Sequence, residues 1–233
     1  MALSIDSTTF VLIHSPFLGA FTWSLVADQL RQRGYRVIVP SLSDHDDSDT
    51  PYWQQHAGSV RRALSDLSAD QPIILVAHSG AGPRLPAIRA ALDQPVTAYV
   101  FVDAGIPVDG TSWLDLMRVE LPDVAAELHA LLIAGERFPT WTSADLAAEI
   151  PDPNLRDRML AELHPRPLAY FEELLPVFDA FPDAPCHYLQ LSDGYALWAD
   201  RAAALGWTVH RIAGNHFHLL NDPKSVTDGI LAL

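Results

Sequence analysis

The amino-acid sequence predicts an α/β fold, in which a mostly parallel, open sheet is flanked by helices on both faces. Short apolar runs of strand length alternate along the chain with segments of helical periodicity, and this order implies parallel strands joined by right-handed crossovers. The runs are apolar at consecutive positions, which is typical of strands buried between two layers of helices. Two of the helical segments end at Gly34 and Gly206, as expected of helices that stop at a left-handed residue.

Six runs are predicted as strands, the last of them the weakest, at residues 9–13, 36–39, 72–77, 96–102, 186–191 and 208–212. Helical periodicity between and after them predicts helices at residues 23–33, 53–67, 81–92, 197–205 and 222–233. In sheets of this kind, the chemistry collects beyond the carboxyl ends of the strands. Candidate site residues are therefore sought where these runs end.

One interval is too long for a simple connection, because roughly 75 residues separate the fourth predicted strand from the fifth. It contains helical patterns, punctuated by proline, at residues 113–121, 124–133, 144–150, 154–163 and 168–175. We predict that residues 1–104 and 185–233 form the core and that residues 105–184 form a helical cap inserted over the strand ends. The many aromatic residues of this interval are expected to pack the cap and to line an apolar pocket.

The composition excludes several classes of protein. With 15 Lys and Arg against 29 Asp and Glu, the net charge of −14 disfavours a nucleic-acid partner. The single Cys186 makes neither an intrachain disulfide nor a multi-cysteine metal site. We find no signal peptide or membrane-spanning run, no EF-hand loop, and no phosphate or dinucleotide loop. We expect a cytoplasmic protein that uses no cofactor or metal and acts on a small molecule.

The most informative segment runs from residue 76 to residue 82, where a buried strand enters small residues around Ser79 and then a helix. A nucleophilic serine on such a strained turn needs small neighbours two residues before and two after it. Here Ala77 and Ala81 stand where the usual pattern has glycine. The amide of Gly80, at the start of the helix, would face an oxyanion. His78 is expected to be structural.

A base and an acid are needed to activate this serine. His216 follows the last predicted strand and is favoured as the base over His218, because it lies two residues after Gly214. Asp103 and Asp193 each follow a strand, and both give the chain order Ser…Asp…His. The position of Asp103 directly under the predicted cap favours it only slightly, and both alternatives stay open.

These residues together resemble the α/β-hydrolase superfamily, through residues 11–15, 21–23, 76–82, 102–104 and 214–216. Their spacing is similar to the small esterase and hydroxynitrile-lyase branch, which carries a helical cap. The resemblance implies that Ser79 is the nucleophile and His216 the base. The usual acid of the superfamily matches Asp193, whereas haloalkane dehalogenases place theirs at the position of Asp103.

One departure from the family pattern concerns the oxyanion hole. The family typically reads His-Gly-x after its first such strand, and the N–H of x supplies half of the hole; here the aligned residues are His14, Ser15 and Pro16. Proline has no N–H, so this donor is missing. The Phe17 amide or the Ser15 hydroxyl is a possible substitute, or the reaction needs no strong oxyanion hole. His14 is expected to be structural or to line the pocket.

The sequence thus predicts a cofactor-independent serine hydrolase of a small, largely apolar ester, thioester or related carbonyl compound. Ser79 attacks, His216 carries the proton, and Asp103 or Asp193 orients the imidazole. The alternative is a lyase, isomerase or cyclase that uses Ser79 and His216 as an acid–base pair, and Pro16 supports it. A third alternative is a ligand-binding protein without catalytic activity.

Overall fold

The structure, a computed structural model, describes residues 8–233. Its centre is a six-stranded parallel sheet in the order β2-β1-β3-β4-β5-β6. The strands are β1 (Thr9–Ile13), β2 (Arg36–Ile38), β3 (Ile73–Ser79), β4 (Val96–Ala104), β5 (Cys186–Gln190) and β6 (Thr208–Arg211). The predicted fold class and all six predicted strands are confirmed. The predicted absence of a signal peptide concerns the N-terminal segment, of which residues 1–7 lie outside the described residues.

Ten α-helices are described: α1 (Ser24–Gln32), α2 (Tyr52–Ala63), α3 (Leu85–Ala90), α4 (Trp113–Glu120), α5 (Pro122–Ile133), α6 (Pro153–Leu160), α7 (Leu168–Glu172), α8 (Ala196–Ala204), α9 (His218–Asn221) and α10 (Pro223–Leu231). Within residues 8–233, none of them is long and apolar enough to cross a membrane. The helix predicted for residues 81–92 begins as a 3-10 turn, Gly82–Arg84, and continues as α3. Pro83 and Pro86 lie in the first positions of the 3-10 turn and of α3. Proline suits these positions, because an N–H group there would have no partner within the helix.

The predicted helix at residues 144–150 is wrong, since these residues form consecutive turns. The segment ends at Pro151, and a residue that precedes proline is disfavoured in the helical conformation. Its backbone is also used by neighbours: the side-chain amides of Asn215 and Asn221 each donate to the carbonyl of Glu149 at 2.7 Å. These contacts replace the hydrogen bonds that would continue a helix.

Both faces of the sheet are buried along β1, β3, β4 and β5, as the apolar runs predicted, whereas the edge strand β6 is mostly exposed. Val11 and Ile13 point to one face, where they pack with side chains of α2, α3 and α8. Phe10 and Leu12 point to the other face, against α1 and α10. Full burial of an aliphatic or aromatic side chain of this size stabilises the fold by about 1.5–3 kcal/mol. These two layers hold the carboxyl ends of the strands in a fixed arrangement.

The helices α4–α7 lie between β4 and β5 in the chain and pack on the loop that follows β1. The ring of Phe17, in that loop, lies 5.6–6.2 Å from four rings of the inserted segment, those of Trp113, Phe138, Tyr170 and Phe171. The inserted helices therefore sit at the carboxyl ends of the strands. The division into a core and a cap at residues 105–184 stays a prediction.

Candidate active site

Ser79 ends β3 in a strained conformation. Its φ is +57°, in the left-handed region that non-glycine residues rarely occupy and that costs about 1–3 kcal/mol. Ala77 and Ala81, two residues on either side, are fully buried, so larger side chains would not fit there. Ser79 itself remains partly exposed. This is the strand-to-helix turn that the sequence predicted, with the hydroxyl presented at the edge of the sheet.

Asp103 lies in the neighbouring strand β4, also with a positive φ, +40°. Its side chain is fully buried and accepts hydrogen bonds at both oxygens. Oδ1 accepts from the amides of Leu191 at 2.6 Å and Ser192 at 3.2 Å, and Oδ2 accepts from the Ser192 hydroxyl at 2.6 Å. Ser79 and Asp103 are the non-glycine residues with positive φ in the described chain. Strain of this kind is typical of functional sites.

His216 follows β6 and meets Asp103, because its Nδ1 lies 3.2 Å from Asp103 Oδ2. Since the carboxylate accepts, Nδ1 carries the proton, and Nε2 is left to accept one. The imidazole is sandwiched between two rings: Tyr195 lies parallel at 4.7 Å and His78 lies at 4.5 Å on the other side. The face of an aromatic ring attracts a cation, so the Tyr195 ring favours the imidazolium that forms when His216 takes a proton.

His78 is kept neutral beside His216. Burial holds the pKa of His78 well below its ordinary value, and the neighbouring His216 lowers it further. Nε2 of His78 lies 3.1 Å from the carbonyl oxygen of His216, to which it donates. A neutral ring at this position does not repel the His216 imidazolium. His78 is thus structural, as the sequence predicted.

The two competing candidates, Asp193 and His218, are not part of the Asp103–His216 pair. Asp193 is exposed and begins a 3-10 turn, Asp193–Tyr195; in the described part of the chain, no hydrogen bond joins it to His216. His218 begins α9 and its ring lies against Gly214. It lines a surface depression together with Asp152 and Asn215. The structure thus pairs His216 with Asp103.

Both ring nitrogens of His14 are hydrogen-bonded to backbone groups inside the protein. The residue is 1% exposed, its Nε2 accepts from the amide of Leu42 at 3.1 Å, and its Nδ1 donates to the carbonyl of Ser15 at 2.8 Å. Burial lowers the pKa of His14 to about 4, so the ring is neutral. This arrangement supports the structural alternative for His14 and does not place it on the wall of the cavity beside Ser79.

We expect acidification from about pH 8 to pH 5 to destabilise the protein by about 2 kcal/mol through His14 alone. The folded pKa lies below the ordinary value of 6.5, so the unfolded chain binds a proton that the folded chain does not. Stability is therefore retained above about pH 6.5 and lost as the pH falls towards about 4. Urea unfolding at both pH values measures the free energy of unfolding, and its decrease from pH 8 to pH 5 should be smaller in His14→Gln than in the wild type. His210→Gln, at an exposed position, serves as the control, and an unchanged loss in His14→Gln would contradict the expectation.

The loop after β1 reaches the elbow, as the family resemblance implied, with Pro16 beside Gly80. A Cβ placed on Gly80 would lie 3.6 Å from Pro16 Cδ and 3.7 Å from Ser15 Oγ. Cδ takes the place of an amide hydrogen, so the loop presents a carbon where a donor is usual. The amide of Phe17 points within its own loop, to Ser15 Oγ at 3.5 Å. Gly80, which lines the cavity next to Ser79, is therefore the candidate for the backbone donor of this site.

A cavity of about 190 Å³ adjoins Ser79. Beyond Ser79, its wall is mostly apolar and is formed by Gly80, Pro83, Gly105, Trp113, Leu116, Met117, Leu121, Gly194, Tyr195 and Trp198. Pockets for drug-sized ligands measure about 300–1,000 Å³, so this cavity suits a smaller molecule. Five of these wall residues belong to the inserted segment, residues 105–184, which therefore shapes the space next to the nucleophile.

Two features of the site escaped prediction from the sequence. The Tyr195 hydroxyl lies 3.3 Å from Ser79 Oγ; its one signal is its position two residues after Asp193, in a loop already expected at the site. The guanidinium of Arg166 donates to the carbonyl of Pro16 from Nε at 3.0 Å and from Nη2 at 2.6 Å. A buried arginine 150 residues away in the chain leaves no local pattern by which to find it.

The chain matches known proteins along most of its length. The model of the "Alpha/beta hydrolase family" matches residues 10–228. Over 133 residues the chain is 27% identical to a carbendazim hydrolyzing esterase of Nocardioides sp. (strain SG-4G), a match of 54% of this chain and 52% of that protein. Over 104 residues it is 28% identical to methylesterase 1 of Arabidopsis thaliana, covering 42% and 40% of the two chains. The matches thus span about half of these relatives or less.

Among solved structures, an extracellular alpha/beta-hydrolase from a Paenibacillus species superposes with a TM-score of 0.77 and 22% identity, over 97% of this chain and 98% of that one. The likeness extends through the sheet and the inserted helices alike, and at this identity it concerns the fold. The family match covers far more than half of the residues. With the strained Ser79, the Asp103–His216 pair and this family match together, the chain belongs to the α/β-hydrolase family.

Proposed function

We propose that this protein is a serine esterase that hydrolyses small, largely apolar esters. The observation that carries the proposal is the pairing of His216 with the buried Asp103 at the sheet edge where Ser79 presents its hydroxyl. The membership of the family and the esterase relatives agree with it. Ester hydrolysis uses these three groups in the roles of nucleophile, base and orienting acid.

In the proposed reaction, Ser79 Oγ forms a bond to the carbonyl carbon while its proton passes to His216 Nε2. The π electrons of the carbonyl move to its oxygen, beside the Gly80 amide. When the carbonyl re-forms, the bond to the alcohol oxygen breaks, and His216 returns the proton to that oxygen. Water then attacks the acyl-enzyme by the same route, releasing the carboxylic acid and restoring Ser79. Asp103 holds Nδ1–H throughout and stabilises the imidazolium.

The cavity and the relatives favour an ester of a small alcohol. A volume of about 190 Å³ equals the liquid volume of about six water molecules, which leaves room for a compact acyl group. The apolar wall favours an aliphatic or aromatic acyl group over a charged one. The names of the two relatives point to methyl esters and to carbendazim as substrates of those proteins. We extend the first of these classes, methyl esters of small apolar acids, to this chain.

The proposal is tested by intact-mass labelling with a fluorophosphonate probe, together with hydrolysis of a panel of methyl esters. We expect one adduct and ester turnover in the wild type, and neither in Ser79→Ala. Ser65→Ala, at an exposed serine of the same chain, should label and turn over like the wild type. Folded wild-type protein that neither labels nor hydrolyses any ester of the panel would refute the esterase.

Pro16 favours a second candidate function, an acid–base reaction that proceeds without an acyl-enzyme. Its Cδ lies against Gly80, so the site has one backbone donor fewer than acyl transfer ordinarily uses. In a lyase or isomerase, Ser79 and His216 would pass a proton without forming a bond to carbon. Turnover of a hydroxynitrile by protein that shows no phosphonyl adduct would favour this function over the esterase.

A further inference from the structure

The carbonyl oxygen of a bound ester needs donors when it takes up negative charge. Loss of one such donor typically slows an enzyme by about a hundred- to a thousandfold. Here Gly80 offers one backbone N–H, and the loop facing it offers Pro16, which has none. An esterase with this loop requires another donor, and the structure contains a side chain placed to supply it.

The nearest alternatives are already engaged or lie elsewhere. The Phe17 amide donates to Ser15 Oγ at 3.5 Å, and both residues are buried. Neither residue lines the cavity that adjoins Ser79, whose wall includes Gly80, Gly194 and Tyr195 among others. A donor that reaches a substrate in this cavity must come from that wall.

Tyr195 has its hydroxyl 3.3 Å from Ser79 Oγ, in the same cavity. The oxyanion forms on the carbon that becomes bonded to Ser79 Oγ, so it lies within two bonds of that atom. We propose that the Tyr195 phenol donates the second hydrogen bond to the carbonyl oxygen, in place of the missing loop amide. This inference rests on the esterase function proposed above, and it makes Tyr195 a catalytic residue.

The neighbours of Tyr195 hold it ready for this role. Its ring lies parallel to that of His216, with 4.7 Å between the centroids and 2° between the planes. Its amide donates to the carbonyl of Ser192 at 3.2 Å, and the Ser192 hydroxyl donates to Asp103. The same short segment thus positions the acid and the phenol. A donor fixed before the reaction stabilises developing charge without reorganisation.

The phenol needs to give up no proton in this role. It releases its hydrogen bond with Ser79 Oγ when that atom attacks, and it donates to the carbonyl oxygen as the charge grows. The proton of Ser79 goes to His216, and the proton of Tyr195 stays on its own oxygen. Because the hydrogen bond strengthens in the transition state, its loss should appear in kcat and not in KM.

The test is steady-state hydrolysis of the best methyl ester of the panel by the wild type, Tyr195→Phe and Tyr35→Phe. Phenylalanine keeps the ring against His216 and removes only the hydroxyl. We expect Tyr195→Phe to lower kcat by about a hundredfold with KM within about threefold, and to slow phosphonylation by the probe to a similar extent. Tyr35, in the segment before β2, is the matched control and should keep the wild-type kcat. Thermal unfolding of Tyr195→Phe should match that of the wild type.

The outcomes separate this inference from the proposed function. If Ser79-dependent hydrolysis stands and Tyr195→Phe has a wild-type kcat, the phenol is no oxyanion donor and the esterase remains. If Ser15→Ala shows the large loss in kcat and Tyr195→Phe does not, the donor is the Ser15 hydroxyl and the inference is overturned. If the wild type hydrolyses nothing and does not label, the proposed function itself fails.

A second variant identifies which oxygen receives the hydrogen bond. Pro16→Ala restores an amide N–H facing Gly80, and alanine tolerates the backbone angle of proline. In the Tyr195→Phe background we expect Pro16→Ala to recover at least about tenfold in kcat. If the double variant is no faster than Tyr195→Phe, the Tyr195 hydroxyl donates its hydrogen bond to Ser79 Oγ alone. That result would contradict the assignment to the carbonyl oxygen.

Discussion

Asp103→Asn is expected to lower kcat for ester hydrolysis by about four orders of magnitude, with little change in the fold. Asparagine keeps the shape of the side chain and still accepts from the Leu191 and Ser192 amides through its carbonyl oxygen. Its NH₂ group then faces Nδ1 of His216, which is thereby made an acceptor. Nε2 carries the proton in that tautomer and cannot take one from Ser79. Single-turnover and steady-state kinetics check the loss, and urea unfolding checks the fold.

Asp193→Asn is the matched variant, because Asp193 begins the exposed turn beside the same site. We expect it to keep kcat within about threefold of the wild type and to label normally with the fluorophosphonate. A large loss in Asp193→Asn with a small one in Asp103→Asn would show that the acid moves to the β5 loop in the working enzyme. Small losses in both would remove the triad from the proposed mechanism.

The choice between these two acids could not be made from the sequence for a physical reason. β4 and β5 are adjacent strands, so both carboxylates come from the same corner of the sheet edge. The two are even connected, since the amides that hold Asp103 belong to Leu191 and Ser192, directly before Asp193. Only the path of the turn after Ser192 decides which carboxylate reaches His216.

The elements that were predictable are those with a local cause. Continuous apolar runs placed all six strands, and the small residues around Ser79 placed the elbow. The identity of Pro16 predicted a missing donor, because the lack of an N–H is a property of the residue itself. By contrast, the phenol of Tyr195 reaches Ser79 across 116 positions in sequence. A contact of that kind depends on the packing of whole elements and has no local pattern.

A buried ionic cluster behind the oxyanion loop is the least predictable part of the site. Arg166 is 3% exposed, pairs with Asp44 and also donates to the Pro16 carbonyl. Asp44 accepts in addition from His56 Nε2 at 2.6 Å. Burial by itself would raise the pKa of Asp44, but the His56 hydrogen bond and the Arg166 charge hold it well below its ordinary range. Tyr170 lies against the Arg166 guanidinium, which is 5.2 Å from its ring centroid.

This cluster joins three parts of the chain. Asp44 follows β2, Arg166 belongs to the inserted segment, and Pro16 follows β1. The guanidinium therefore connects the inserted helices to the loop beside the nucleophile. Desolvation makes such a pair a weak source of net stability, but removal of one partner leaves a buried charge without compensation. The cost of breaking it should exceed that of breaking any surface pair.

Arg166→Met is accordingly expected to lower the free energy of unfolding by about 3–5 kcal/mol, because it leaves the Asp44 carboxylate buried and unpaired. Asp44→Asn in the same chain should restore part of that loss, since a neutral amide still accepts from His56 and costs less to bury than a charge. Arg33→Met, which breaks a partly exposed pair with Asp228, should cost no more than about 1 kcal/mol. Urea unfolding measures all three differences. If Arg166→Met is as stable as the double variant, a group other than Arg166 compensates the charge of Asp44. The loop at Pro16 would then be held in place by the aromatic packing around Phe17.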